Sequence, residues 1–205
     1  NNLKEGNAIA MVSDAGMPGI CDPGEELIKK AKIEGIDVIC IPGACAALTA
    51  LVSSGFSTSK FIFEGFLPKK KSTRIKILYE INNNTKTTIL FESPHRLLKT
   101  LKELRAICGG CREIEISREL TKKFEEHVGT NLDEVINYFE GEKVLGEITI
   151  VIKGIDENNI KREINTGNIK SELHELVSLG LTLSAASKYL AKRENLTKNF
   201  VYKLY

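Results

Sequence analysis

The chain lacks any apolar run approaching the ~20 residues that cross a bilayer. Its start, Asn1-Asn2-Leu3-Lys4-Glu5, has none of the layout of a secretory leader. Neither sign of charge dominates: 29 Lys and Arg against 27 Asp and Glu leave a formal +2, so global charge does not announce a polyanion partner. Cysteine is scattered and odd in number, at five (Cys21, Cys40, Cys45, Cys108, Cys111), which argues against a disulfide framework. Cys108-Gly-Gly-Cys111 has metal-ligand spacing, but there is no second such pair and only three histidines to complete a zinc site. No dinucleotide fingerprint, P-loop, nucleophile elbow or Ser-His-Asp order is present. These absences predict a soluble, cytoplasmic chain with no metal and no membrane contact.

What remains is ordinary globular material, 42% apolar and 27% charged over 205 residues, enough for one large domain or two small ones. Short apolar runs at 8–12, 38–41, 61–63, 87–91, 113–117 and 147–152 predict buried strands, with a further strand at 124–128. Helical spacing falls between them, at 24–34, 44–52, 72–81 and 94–106, and from the cap Asn131 through Tyr138. Ser93-Pro94 sets a capping serine before proline at the first helical position. Strands alternating with helices predict an α/β fold with a mixed or parallel sheet. Residues 154–167 lose periodicity and predict a linker. The last ~36 residues predict helices at 170–179, 184–193 and from 198, with Ser184 or Thr182 and then Thr197 as caps. The last two of these helices have helix-turn-helix proportions.

Charge is uneven along the chain. Residues 60–76 carry six Lys/Arg against Glu64, and 188–203 carry five against Glu194. Such patches are either a polyanion footprint or a solvated surface. The richest stretch, Val12-Ser13-Asp14-Ala15-Gly16-Met17-Pro18-Gly19-Ile20-Cys21-Asp22-Pro23-Gly24, joins a predicted strand to a helix. In α/β sheets ligands bind at the carboxyl ends of strands, and small residues admit a ligand close to the backbone. Ile41 to Ala47, Leu90 to Arg96 and Ser117 to Lys123 are further polar turns at strand ends, which suggests one shared cleft.

Taken together, the segments Val12–Gly24, Ile41–Ala47, Phe63-Glu64-Gly65-Phe66-Leu67-Pro68, Phe91–Arg96, Arg118–Lys122 and Gly146-Glu147 resemble the tetrapyrrole methylase superfamily of S-adenosylmethionine-dependent methyltransferases. Within it, the chain is similar to the bacterial enzymes that methylate the ribose 2′-hydroxyl of a cytidine in small-subunit ribosomal RNA. The motifs run in family order over about residues 7–154. The resemblance implies a two-domain α/β fold with cofactor in the inter-domain cleft. Residues 1–58 would be the remainder of the first domain, 59–154 the second, 155–169 a linker and 170–205 a small helical RNA-contacting tail. Family members begin with a further strand and loop that have no counterpart before Asn1, so a fragment is expected.

Carried over by position, the resemblance gives S-adenosylmethionine the contacts Asp14, Ala15, Gly16, Gly19, Ile20, Cys45, Ala46, Glu92 and Leu120. Met17, Cys21 and Ala44-Cys45 stand where the family has threonine, serine and proline-serine. A ribose hydroxyl is a poor nucleophile at neutral pH, so a base or a nearby cation should assist it. Glu119 and Lys122, sharing one turn, are the catalytic candidates, with a structural ion-pair cluster as the alternative. Lys69, Lys70, Lys71, Arg74, Arg118, Lys188, Lys192, Arg193 and Lys198 are the RNA-contacting candidates, and Phe66 lies near a base. The implied partners are small-subunit ribosomal RNA or the assembled small subunit, and a second copy of the chain. A tetrapyrrole carbon methyltransferase and an inactive RNA-binding fragment are the alternatives. The basic loop and basic tail argue against the first of these.

Overall fold

A computed structural model describes residues 2–156, 166–193 and 196–205, which fall into two compact units divided after Asp156. The first unit holds α1 (Glu25–Ile33), α2 (Ala46–Ser53), β1 (Phe61–Phe66), α3 (Lys71–Asn82), β2 (Thr87–Glu92), α4 (Pro94–Cys108), β3 (Glu113–Arg118), β4 (Glu126–Asn131), α5 (Leu132–Phe139) and β5 (Ile148–Ile152). The strands form one mixed sheet in the order β1-β2-β5-β3-β4. β1 and β2 run parallel, whereas β5 runs antiparallel to both β2 and β3, and β4 antiparallel to β3.

Side chains of a strand alternate between faces, and the core divides accordingly. Leu90, Ile150 and Ile152 join Leu78, Leu97, Leu101, Leu104 and Val135 from α3, α4 and α5 in the larger core. Ile89 and Val151 point the other way and pack with Ala47, Ala50 and Leu51 of α2. With helices on both faces, all five residues of β5 are buried, which is why that strand reads as an unbroken apolar run.

Two of the expected strands are corrected. Residues 8–12 and 38–41 join no ladder, and Ile9, Val12, Ile39 and Ile41 are exposed, Val12 by 84% and Ile39 by 82%. An apolar run records side chains that favour burial; a strand also needs a neighbour for its N–H and C=O groups, and these runs find none among the described residues. The capping role of Ser93 is corrected as well: its side chain makes no cap bond, and its amide instead donates to Glu92 Oε1 at 2.8 Å. Asn131 does cap α5, accepting from the Glu134 amide at 3.0 Å.

The second unit contains α6 (Thr166–Ser178), α7 (Leu183–Arg193) and α8 (Lys198–Tyr202). Its small core is Ile169, Leu173, Ala186, Leu190, Ala191 and Val201. The Thr182 hydroxyl accepts from the Ala185 amide at the start of α7, and Thr197 caps α8. The expected linker falls largely on residues 157–165, outside the described residues. No helix among the described residues is long and apolar enough to cross a membrane.

Candidate functional site

Sheet direction builds the site. β1, β2 and β3 end on the same side, and β5, running against β2 and β3, starts there; Ile148 pairs with both Glu92 and Arg118. A cavity of about 390 Å³ opens at this place, within the 300–1,000 Å³ range of small-ligand pockets. Phe66, Phe91 and Glu92 contribute from the ends of β1 and β2, and Gly146 to Thr149 from the start of β5. The far wall comes from two loops, Ala15 to Asp22 and the turn Cys45-Ala46.

Those loops lie close to one another for a local reason. Gly16 takes φ +71°, open to glycine, and a Cβ there would stand 3.5 Å from the Ala44 carbonyl oxygen. The Ser13 hydroxyl donates to the Ala15 carbonyl at 3.1 Å and closes the turn. Gly65, buried at a register shift in β1 with φ +62°, brings the strand within van der Waals reach of Cys21. The loop and turn singled out in the sequence are therefore assembled although the runs before them form no ladder.

Of the expected cofactor contacts, Ala15, Gly16, Ile20, Cys45, Ala46 and Glu92 line the cavity. Asp14 and Gly19 do not. Leu120 does not line it either and packs against the core cluster of Ala47, Ala50, Leu51, Ile89 and Val151. Glu92 lines the cavity with a side chain only 1% exposed, and its carboxylate is already engaged. Oε1 accepts from the Ser93 amide at 2.8 Å and pairs with Arg96 Nε at 3.2 Å, and Oε2 accepts from the Thr100 hydroxyl at 2.5 Å. Met17, Asp22, Phe91 and the 146–149 segment were not among the expected contacts. For Gly146-Glu147 the signal was a polar glycine step just ahead of a buried strand, but only the antiparallel pairing of β5 turns it into a cavity wall.

Glu119 and Lys122 meet at the cavity rim through Glu147. Lys122 Nζ donates to Glu119 Oε1 at 2.8 Å and to Glu147 Oε2 at 3.0 Å. The Glu147 amide donates to Glu119 Oε1, and the Glu119 amide to the Glu147 carbonyl, both at 2.9 Å. Glu119 and Thr121 hold positive φ, 52° and 64°, in this turn. The hydrogen bond from Lys122, then that from the Glu147 amide, pushes the Glu119 carboxyl below its usual range. The bonds to Glu119 and then Glu147 push Lys122 up. Lys122 is thus a fixed cation and a poor proton acceptor, and Glu119 a weakly basic carboxylate.

The basic candidates divide. Lys69 and Lys70 are exposed in the loop that follows Phe66, and Lys71 is exposed at the first position of α3. Arg74 is corrected as a solvent-facing contact. It is 5% exposed, with Nε on Glu103 Oε2 at 2.5 Å and Nη2 donating to the Thr100 hydroxyl at 2.6 Å. Arg118 is partly buried, its Nε on Glu126 at 2.7 Å and Nη1 on the Leu145 carbonyl at 3.1 Å. Lys188, Lys192 and Lys198 are exposed on the second unit, and Lys198 Nζ reaches the Ser184 hydroxyl at 2.7 Å. The side chain of Arg193 lies outside the described residues.

The family model for tetrapyrrole (corrin/porphyrin) methylases matches residues 1–136, two thirds of the chain. The chain belongs to the tetrapyrrole methylase family. Its chemistry is therefore methyl transfer. Among curated relatives, a Synechocystis protein named ribosomal RNA small subunit methyltransferase I is 42% identical over 202 residues, 98% of this chain and 72% of that one. A Bacillus subtilis protein of the same name is 39% identical, over 99% of this chain and 70% of its own length. The Thermotoga maritima protein of that name is 47% identical over 74% of this chain and 68% of its own. Among solved structures, the methyltransferase CobJ superposes with a TM-score of 0.56 at 18% identity, over 75% of this chain and 67% of CobJ, a likeness of fold.

Proposed function

We propose that this methylase transfers a methyl group from S-adenosylmethionine to the ribose 2′-hydroxyl of a cytidine in small-subunit ribosomal RNA. The observation that carries the reading is a cavity with small-residue walls whose Phe66 side leads directly into the exposed lysines Lys69, Lys70 and Lys71 at the start of α3. The curated relatives, named for small-subunit ribosomal RNA, support the substrate class.

The walls suit a cationic nucleoside. Ala15, Gly16 and Ala46 admit a ligand close to the backbone, Asp22 and Glu147 offer negative charge, and the rings of Phe66 and Phe91, centroids 5.7 Å apart, offer faces to a cation. When bound, S-adenosylmethionine would supply a sulfonium methyl: the C–S bond breaks with its pair on sulfur as the C–O bond forms in line, and the hydroxyl proton leaves to water. Such a displacement needs chiefly positioning. Lys122 is held protonated by Glu119 and Glu147 and spends two ammonium N–H groups on them; its third N–H is the donor this reading assigns to the attacking hydroxyl oxygen, by a directed hydrogen bond and not by net charge. Lys69, Lys70 and Lys71 hold RNA phosphates beside the opening, and Lys188, Lys192 and Lys198 give the second unit a basic surface of its own. The reading includes a homodimer, which sedimentation velocity on the purified chain tests.

The decisive experiment is tritiated methyl transfer from S-adenosylmethionine to undermodified small ribosomal subunits, followed by nucleoside analysis. Label in 2′-O-methylcytidine is expected. Label absent from RNA but present on a tetrapyrrole substrate would overturn the RNA reading. Salt-dependent RNA binding without cofactor affinity would replace the enzyme with a binding module.

A further inference from the structure

The loop that carries Lys69, Lys70 and Lys71 is tied at both ends to one buried carboxylate. On its near side, Arg96 Nη2 donates to the Leu67 carbonyl at 2.7 Å, while Arg96 Nε pairs with Glu92 Oε1 at 3.2 Å. On its far side, Arg74, in the first turn of α3, donates through Nη2 to the Thr100 hydroxyl at 2.6 Å. That hydroxyl in turn donates a hydrogen bond to Glu92 Oε2 at 2.5 Å, and Arg74 Nη2 stands 3.9 Å from the same oxygen. Glu103 takes the other edge of Arg74 at 2.5 Å. Thr100 and the side chains of Glu92 and Arg74 are nearly or wholly withdrawn from water. Each polar atom named has a partner, the condition under which a buried ionic network holds one geometry instead of weakening the core.

We infer that Glu92 is a positioning residue for the RNA-contacting loop, holding Leu67 to Lys71 at the cavity mouth through Arg96 and Thr100–Arg74, and that its carboxylate does not ligate the cofactor. The inference rests on the reading of Lys69–Lys71 as the RNA contact. A cofactor ligand would direct oxygens into the cavity; here both oxygens are taken by the network. Glu92 is also the last residue of β2, so the same side chain fixes the loop relative to the cavity wall it lines.

The test compares Glu92→Gln, Arg96→Lys and the triple Lys69→Ala/Lys70→Ala/Lys71→Ala, in steady-state kinetics and in RNA binding over a range of salt. Arg96→Lys keeps the charge facing Glu92 but lacks the forked second nitrogen that reaches Leu67, so it reports on the loop even if Glu92→Gln folds poorly. For both single variants the expected result is a KM for RNA raised about tenfold, with kcat and cofactor Kd within about twofold. The slope of log affinity against log salt should fall by roughly 2, as lysine–phosphate contacts are lost. Amide exchange at 67–71 should quicken. Adding the single variants to the triple should weaken RNA binding no further. If the triple weakens RNA binding and neither single variant does, the positioning role is overturned and the RNA reading stands. If the triple leaves RNA affinity and salt slope unchanged, the loop is not the RNA contact and the inference falls with that reading. Loss of cofactor affinity by tenfold or more in Glu92→Gln overturns it too, and makes the carboxylate a cofactor ligand.

Discussion

Replacing Gly65 with alanine should damage both the stability of the first unit and its cavity, and a second substitution should repair most of the harm. Gly65 is buried in β1 at φ +62°, and an added Cβ would lie 2.8 Å from Cys21 Sγ. Two costs follow. An L-residue in the left-handed region loses about 1–2 kcal/mol, and forcing a methyl against a neighbour that cannot retreat costs about 1–3 kcal/mol more. Cys21 resists a shift of its loop, because its own backbone holds φ +57°. Gly65→Ala should therefore destabilise by about 2–5 kcal/mol, a large part of an ordinary stability of 5–15 kcal/mol.

Cys21→Ala removes the sulfur and makes room for the new methyl. Alone it should change stability by about 1 kcal/mol or less, since the thiol is exposed. Combined with Gly65→Ala, it should leave only the backbone strain, a favourable coupling of about 1–3 kcal/mol in a double-mutant cycle. Urea denaturation reads this directly: with a slope near 2 kcal/mol/M, the midpoint falls by about 1–2.5 M in Gly65→Ala and recovers to about 0.5–1 M below the parent in the pair. Because Cys21 and Phe66 both line the cavity, titration calorimetry with S-adenosylmethionine should show affinity lost and regained in parallel. A double variant no more stable than Gly65→Ala would refute the steric reasoning.

Lys122→Ala should slow methyl transfer about 10–100-fold with cofactor affinity within about twofold, and Lys122→Arg should restore part of the rate; an unchanged rate would reduce the rim cluster to a structural ion-pair network. Asn131→Ala should cost about 1 kcal/mol through loss of the α5 cap, lowering the melting temperature by about 2–4 °C in calorimetry. His127 gains partners on folding: Glu125 first, then Glu115, push it above its ordinary value of about 6.5. A raised native pKa contributes stability that is complete below about pH 6.5 and is lost as pH rises through the folded value. Parent urea midpoints should thus decline above about pH 6.5, and that part of the decline should vanish in His127→Gln. Glu125, pushed below its usual range by the same contact, acts only on the acid side and does not confuse the window.

Periodicity made most of the elements legible. Among the described residues, the five paired strands and the eight helices begin or end within a few residues of where apolar spacing, glycine and caps place them. What periodicity records is the environment a side chain favours, and the failures follow from that. Ile39 and Ile41 read as strand because they favour cover, yet a ladder is a property of two segments and no single run encodes its partner. Arg74 read as one more cation of a basic loop. Only the fold reveals that Thr100, eight residues beyond Glu92, comes under it and with Glu103 draws the guanidinium inside.

The site was legible where a local motif sufficed and illegible where strand direction decided. Ala15, Gly16, Ile20, Cys45 and Ala46, which the family resemblance singles out by position, lie in two local turns after apolar runs, and the fold brings them onto one cavity. Glu147 opens a predicted strand, and the rule of strand carboxyl ends passes over a residue in that place. The antiparallel course of β5 reverses that judgement: the beginning of this strand lies beside the ends of β2 and β3, and with it comes a carboxylate that reaches Lys122. In a mixed sheet the ligand-facing set is therefore the ends of the strands running one way together with the beginnings of those running the other. For this methylase that set joins Phe66, Glu92 and the Arg118–Lys122 turn to Gly146-Glu147. A substitution at Glu147 should accordingly register at Lys122 before it registers anywhere in the core.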